Sequence, residues 1–354
     1  MKALILCGGI GSRLFPITFS LPKQLIPLVN KPLLFYIIDS LIKADINEIG
    51  ILVNDNMELF KESLKKYETE KIKLEYIKQE KPIGLANAVS SSREFIKDDD
   101  FIMILGDNLY DLDIKLLINE FKLNNSNCNL LLKQVDNPMR FGVAKTNNDY
   151  VVDVVEKPKI PTSNLAITGI YIFDKNIFAA CENIKPSWRG EYEITDAIRW
   201  LIQKGYKVTY KMHEGFWKDL GNPQDVIYGN QYLMKGIMHY INGEIDAKSE
   251  ISGNIIIGEN SRIINSFIKG PVIIGNNTII KNSYIGPYSS ICNNVNIINS
   301  KLKNSIILEG CIISNIHTII DSSIVAQDTI IKKSFKSKQS NKFLLGKNSQ
   351  VELY

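Results

Sequence analysis

Ile251-Ser252-Gly253-Asn254-Ile255-Ile256-Ile257-Gly258-Glu259-Asn260-Ser261-Arg262-Ile263 carries an aliphatic residue at every sixth place, at 251, 257 and 263. The spacing returns at Ile268, Ile274 and Ile280, then at Ile285, Ile291 and Ile297, with Ile-Gly pairs at 257–258, 274–275 and 285–286. Residues 245–331 hold 26 Ile, 12 Asn and 12 Ser in 87 positions, and helical periodicity is gone. One inward aliphatic per edge, small or Asn residues at turns and β-branched enrichment are the pattern of a hexapeptide parallel β-helix. Each edge makes one short strand, and three edges close a left-handed triangular coil. A β-sandwich would alternate every second residue, with turns about every 8–12 residues; that pattern is absent.

Upstream the texture changes. Short apolar runs at Ala3 to Leu6, Glu48 to Val53, Lys73 to Ile77, Phe101 to Leu105 and Asn129 to Lys133 read as buried strands. Between them, Pro32 to Ala44 has apolar residues at 33, 34, 37, 38, 41 and 42, which is helical spacing with Pro in the first turn. Gly84 to Ile96 and Glu193 to Lys204 read as two more helices, the second closed by Gly205. Strands alternating with helices predict a Rossmann-like α/β domain with a doubly wound, mainly parallel sheet, whose ligands bind beyond the carboxyl ends of the strands. The expected organisation is therefore a catalytic domain over 1–240, the β-helix over 241–335 and a tail over 336–354.

Composition narrows the class. The 354 residues are 45% hydrophobic and 23% charged, ordinary for a globular chain. Forty-two Lys and Arg against 38 Asp and Glu leave a charge of +4, too weak over this length to argue for nucleic acid or a membrane surface. Cys7, Cys128, Cys181, Cys292 and Cys311 lie far apart without a CxxC pair, which fits free thiols in a reducing compartment. No apolar run reaches the length of a membrane span. The expectation is a soluble, cytoplasmic protein.

The first strand runs into Cys7-Gly8-Gly9-Ile10-Gly11-Ser12-Arg13-Leu14-Phe15-Pro16. Glycines let a backbone approach a ligand closely and offer amide hydrogens to phosphate. The loop lacks the Gly-Lys-Ser/Thr ending of a P-loop, and its third Gly comes too early for a dinucleotide fingerprint. It delivers Arg13, with Lys23 ten residues later in Leu21-Pro22-Lys23-Gln24. Two cations beside a Gly-rich loop suit a triphosphate, where they offset charge on the transferring group and on departing pyrophosphate. Asp107, after the run Phe101–Leu105, and Asp219, after Gly215-Phe216-Trp217, lie near strand ends; either alone reads first as a turn or helix-cap aspartate, and together they could offer two hard oxygens to Mg²⁺ shared with phosphates.

Gly8-Gly9-x-Gly11-x-Arg13-Leu14-x-Pro16-x-Thr18, Pro22-Lys23-Gln24 and Asn30-Lys31-Pro32 together closely resemble the opening of the sugar-phosphate nucleotidylyltransferases. The resemblance continues in order through Gln79-Glu80-x-Pro82-x-Gly84, Gly106-Asp107-Asn108, Arg140-Phe141-Gly142, Glu156-Lys157-Pro158, Thr168-Gly169-x-Tyr171, Arg189-Gly190-Glu191-Tyr192-Glu193-Ile194-Thr195-Asp196 and Trp217-Lys218-Asp219-Leu220-Gly221. It is nearest the thymidylyltransferase branch, in the long form that carries a β-helix; Gly270-Pro271, Ile285-Gly286-Pro287-Tyr288 and Leu345-Gly346 to Leu353 resemble that form.

The resemblance implies transfer of a nucleoside monophosphate from dTTP to glucose 1-phosphate, with Mg²⁺ as cofactor and pyrophosphate released. Carried over, Arg13 and Lys23 would be catalytic, and Gly8, Gly9, Gly11, Gln24, Gln79, Pro82 and Gly84 would bind the nucleotide. Asn108, Gly142, Glu156, Lys157 and Tyr171 would hold the sugar phosphate; Asp107 and Asp219 would hold the metal. The alternatives are a uridylyltransferase using UTP with glucose or N-acetylglucosamine 1-phosphate, and a bifunctional nucleotidyltransferase and acyltransferase. The partners expected are these small-molecule substrates and further copies of the chain, with neither nucleic acid nor membrane. One departure stands out: the family commonly has Thr where this chain has Leu220.

Overall fold

The structure is a computed structural model that describes residues 1–333; the expected tail and the motif from Leu345 to Leu353 lie outside the described residues. Contacts divide the chain into two compact units. The first comprises Met1–Ile10 and Leu34–Trp217, the second Gly11–Leu33 and the chain from Lys218 onward.

The first unit is built on one nine-stranded sheet. Strand Lys2–Leu6 is buried along its whole length. It pairs in parallel with Glu48–Val53 on one side and Phe101–Leu105 on the other, setting Leu6 opposite both Leu52 and Leu105. Lys73–Lys78 forms the parallel edge beyond Glu48–Val53. Past Phe101–Leu105 the sheet turns antiparallel at Leu165–Phe173, which also pairs with Cys128–Gln134. Val208–Met212 lies parallel to Cys128–Gln134, and the hairpin of Gly142–Asn147 and Tyr150–Glu156 completes the far edge. That hairpin turns on Asn148, whose φ of 49° is the left-handed conformation a tight two-residue turn needs. Leu4, Leu52, Met103, Leu130 and Phe173 share one core with Ala86, Val89, Ile177, Ile198 and Leu201 from the covering helices.

Two helices differ in detail from their sequence pattern. The segment expected as one helix over 84–96 is two, Leu85–Ser91 and Arg93–Ile96. Ser92 breaks it by turning its hydroxyl back onto the Val89 carbonyl at 2.7 Å, the competition with backbone bonding that Ser brings to helices. Pro32 falls in the two-residue strand Lys31–Pro32, and the helix starts at Leu33. No helix of the described residues is long and apolar enough to cross a membrane.

The second unit holds the β-helix. Its short strands stack as three parallel sheets of six, six and five strands. Ile257, Ile263, Ile268, Ile274, Ile280, Ile285, Ile291 and Ile297 point inward and are wholly or almost wholly buried, forming a continuous aliphatic column. The coil is shorter than three equal six-residue edges: equivalent side chains recur after 17 residues, as in the bonds Asn265–Asn282 and Asn282–Asn299. One edge per coil is cut to five, visible in the steps from Ile263 to Ile268 and from Ile280 to Ile285. Asparagine makes the sharper corner possible. Asn265, Asn282, Asn299 and Asn315 all have φ between 45° and 61°, a region Asn enters more readily than other non-glycine residues. Their amides bond coil to coil at 2.8, 3.1 and 3.0 Å. Beside them, Ser249, Ser266 and Ser283 each accept a backbone N–H from the next coil at 3.1 Å.

The same unit contains a small hairpin, Pro27–Leu28 with Lys31–Pro32, turning on Val29 and Asn30 at φ of 50° and 58°. A β-branched residue there is strained. The strain is held by docking onto the β-helix and onto helix Pro223–Met234. Asn30 Nδ2 donates to the Ile291 carbonyl at 2.6 Å. Asn230 Oδ1 accepts from Val29 N and from Ser290 Oγ, both at 2.8 Å. Asn230 is 1% exposed, so truncating it takes the acceptor from the half-buried Val29 N–H and the buried Ser290 hydroxyl. Asn230→Ala is expected to lower unfolding free energy by about 1–3 kcal/mol in denaturant titration; an unchanged midpoint and slope would contradict this account of the clamp.

Candidate functional site

The candidate loops of the first unit follow the carboxyl ends of its central parallel strands. After Leu6, Cys7 N still bonds the Leu52 carbonyl at 2.7 Å, and Asn54 Nδ2 donates to the Gly8 carbonyl at 2.9 Å, holding the start of the Gly-rich loop. Gly8 is buried and Gly9 exposed. A Cβ on Gly8 would stand 2.8 Å from Gln79 Oε1, so the bare backbone is what admits the amide. Gln79 is itself 5% exposed and donates from Nε2 to Asn87 Oδ1 at 3.0 Å. Gly84, at φ 119°, is demanded by the backbone of Tyr192: Tyr192 N bonds Ile83 O, Ala86 N bonds Tyr192 O, and any side chain on Gly84 would strike that backbone. Pro82 lies on the exposed approach to this segment.

After Leu105, Gly106 N bonds the Leu6 carbonyl at 3.0 Å, bringing Asp107 to the same end of the sheet. Asn108 is 2% exposed; it donates to Asp107 Oδ1 at 2.9 Å and accepts from Trp217 Nε1 at 2.8 Å, so its amide is fixed at both ends.

A third group gathers on the hairpin. Gly142 and Glu156 are cross-strand partners, and a Cβ on Gly142 would lie 2.9 Å from Thr195 Cγ2 and 3.2 Å from Glu156 Oε2. Thr195 Oγ1 donates to Glu156 Oε2 at 3.3 Å, and Lys157 Nζ stands 3.6 Å from Glu156 Oε1. Arg189 ties this group together, 3.8 Å from Glu156, 3.2 Å from Glu193 and 2.8 Å from Glu191. Burial, then the neighbouring Glu156 charge, pushes the Glu193 carboxyl above its ordinary range. Tyr171 is apart from these groups in character: its ring is buried in the core and stacks on Phe173 at 5.7 Å. Burial first, then Glu156, raises its phenol well above the usual value.

The second unit carries the remaining candidates. Gly11, at φ 69°, accepts Thr18 Oγ1 on its carbonyl at 2.9 Å, and a Cβ there would press on Thr18 and on Lys23. Arg13 and Lys23 each sit on a single 3₁₀ turn, Ser12–Leu14 and Lys23–Leu25. Arg13 and Asp219 meet over Gly221: a Cβ on Gly221 would lie 2.6 Å from Arg13 Nη2 and 3.2 Å from Asp219 Oδ1. Leu220 is buried in this unit, so the residue that replaces the family's Thr turns its side chain into the core. Gln24 is 1% exposed, and among the described residues its Oε1 has no hydrogen-bond partner, an acceptor awaiting a donor.

A model of the family described as nucleotidyl transferase matches residues 2–236. The chain belongs to the nucleotidyl transferase family. A glucose-1-phosphate thymidylyltransferase of Streptomyces griseus is 37% identical over 354 residues, covering all of this chain and 99% of that protein. Among solved structures, a candidate glucose-1-phosphate thymidylyltransferase of Bacillus anthracis in complex with sucrose is 36% identical at a TM-score of 0.62, over 68% of this chain and 97% of its own. A UDP-glucose pyrophosphorylase complexed with UDP-glucose is 25% identical at a TM-score of 0.61, over 66% and 98%.

Arg189, Thr195, Asn87, Trp217 and Gly221 were not singled out by the sequence reading, although four of them lie inside the motifs quoted for the resemblance. Their signal is contact, which motif order does not carry. For this nucleotidyl transferase, Gly221→Ala forces the Arg13 guanidinium aside while leaving the core intact. Turnover is expected to fall roughly ten- to a hundredfold, as misplacement of a reacting-centre group by about 1 Å does, with little change in thermal midpoint. Normal steady-state rates in that variant would sever Arg13 from the reaction.

Proposed function

We propose that this nucleotidyl transferase joins the nucleoside monophosphate of dTTP to glucose 1-phosphate and releases pyrophosphate. The observation that carries this reading is end-to-end similarity: the thymidylyltransferase of Streptomyces griseus aligns with the whole chain, β-helix included. Gln79 supports it chemically, because an amide side chain pairs with the N3–H and O4 edge of thymine. Uracil has the same edge, and the likeness to a UDP-glucose pyrophosphorylase makes UTP the second reading.

A phosphate oxygen of glucose 1-phosphate attacks the α-phosphorus of dTTP. The new P–O bond forms as the bond to the bridging oxygen breaks, and that electron pair leaves with pyrophosphate. The nucleophile is already an anion at neutral pH and needs no general base, so catalysis is positioning and charge stabilisation. Arg13 and Lys23 offset the charge on the reacting phosphates, and the backbone amides at Gly8, Gly9 and Gly11 cradle the triphosphate tail. Gly142, Glu156 and Lys157, with Asn108, hold the sugar and its phosphate. The donor chemistry suits Mg²⁺: Asp107 and Asp219 offer hard carboxylate oxygens, and Gly221, bearing no side chain of its own, leaves room beside Asp219 Oδ1 that the Arg13 guanidinium shares. When bound, Mg²⁺ neutralises phosphate charge. We assign the β-helix to assembly of copies of the chain, and the activity to the reducing cytoplasm that five free cysteines suit.

Lys23→Ala and Arg13→Ala are each expected to lower kcat by about 10²–10³ with folding retained, as loss of one transition-state donor does. Near-normal kcat at saturating substrate in either variant removes that residue from the mechanism. In a pyrophosphate-release assay across triphosphates and sugar 1-phosphates, dTTP and UTP with glucose 1-phosphate should be used well, and ATP, GTP and CTP poorly. Efficient turnover of CTP overturns the base-reading role of Gln79. Chelation should abolish activity, Mg²⁺ should restore it, and Asp107→Asn should weaken rate and metal dependence together; full activity in excess chelator rejects the metal.

A further inference from the structure

We propose that Asn87 is a positioning residue that sets base specificity: it fixes which end of the Gln79 amide faces the base and so favours thymine or uracil over cytosine. This rests on the base-reading role given to Gln79 above. Gln79 directly follows the strand Lys73–Lys78, and its backbone N still bonds Val53 O at 2.8 Å, so its Cα is tied to the sheet. What remains to be fixed is the terminal torsion of its side chain. A primary amide has a carbonyl that only accepts and an amino group that only donates, and a half-turn exchanges them. Thymine and uracil present a donor at N3 beside an acceptor at C4. Cytosine presents an acceptor at N3 beside an amine at C4. The two orientations of one glutamine therefore select opposite bases.

The structure holds one orientation. Nε2 gives a hydrogen to Asn87 Oδ1 at 3.0 Å. Oε1, on a side chain 5% exposed, lies against Gly8, where a Cβ would stand 2.8 Å from it. With Nε2 committed to Asn87, the carbonyl beside the Gly-rich loop is the acceptor offered to an N3–H. Turning Gln79 over would bring its carbonyl against the Asn87 carbonyl, two acceptors at hydrogen-bond distance, unless Asn87 turned as well. The backbone of Asn87 is anchored, so only its own amide torsion could follow such a turn. It lies on helix Leu85–Ser91 between buried Ala86 and Ala88, and Ala86 N is bonded to Tyr192 O at 3.0 Å. The pair thus sets a preference. An aspartate at 87 would make it strict, because a carboxylate offers only acceptors.

The test is the ratio of kcat/KM for dTTP to that for CTP in the full-length enzyme. Asn87→Leu frees Gln79 to turn, and the ratio is expected to fall about three- to tenfold, the worth of one neutral hydrogen bond. Asn87→Asp should keep or raise the ratio even if both absolute rates drop, a rescue that a merely structural role would not produce. An unchanged ratio in Asn87→Leu, or an equal collapse in both variants, overturns the proposal. Gln79→Leu separates this from the underlying reading. If Gln79→Leu loses the discrimination while Asn87→Leu keeps it, Gln79 reads the base without help from Asn87. If Gln79→Leu keeps the discrimination, the base is read elsewhere and both assignments fall.

Discussion

The parallel pairing of Lys2–Leu6 with its two neighbours is the constraint on which the first unit depends. A strand buried on both faces, with its register fixed on both sides, has no freedom to slip, because a one-residue shift would exchange its two faces. Leu6 opposite both Leu52 and Leu105 therefore fixes three chain exits side by side. Gly8, Asn54 and Asp107 follow those exits within a few residues. The backbone bonds from Cys7 to Leu52 and from Gly106 to Leu6 extend the pairing past the strand ends and into the loops. Precision in the loops is inherited from hydrophobic burial in the sheet.

Much of this was legible in the sequence because it is written in period and order. The aliphatic spacing gave the β-helix, and the alternation of apolar runs with helical stretches gave the doubly wound sheet. Two things were not legible, for different physical reasons. The coil length of 17 can be counted from the aliphatic steps, but what lets a corner turn that tightly is a property of Asn in left-handed conformation that hydrophobic spacing does not measure. The antiparallel turn of the sheet at Leu165–Phe173 is a matter of topology: a strand buried on both faces reads the same in either direction.

The candidate side chains divide along the same line. Residues proposed to meet a ligand with their own chemistry, such as Arg13, Lys23 and Asp107, stand out by type and motif. Those that act on another side chain do not. Arg189 beside three glutamates, Thr195 on Glu156 and Asn87 on Gln79 are ordinary residues made specific by neighbours far away in sequence. Glycines behave similarly. Gly221 and Gly142 matter for the side chains that occupy the room they leave, and Gly84 for the Tyr192 backbone that presses on it.

The strained hairpin at Val29 and Asn30 has a consequence for how such a protein evolves. Arg13 and Lys23 belong to the same compact unit as the β-helix, and the segment just beyond Lys23 is pinned to the coil at Ile291 and, through Asn230, to Ser290. The solenoid is therefore no detachable appendage inherited alongside an independent enzyme. Exchanging it for another tail, or trimming it, would remove the seat of the hairpin and disturb the chain that carries Arg13 and Lys23. Lineages with and without the coil must differ in how they brace that segment, and grafting one tail onto the other's body would require refitting residues 27–32 as part of the transplant.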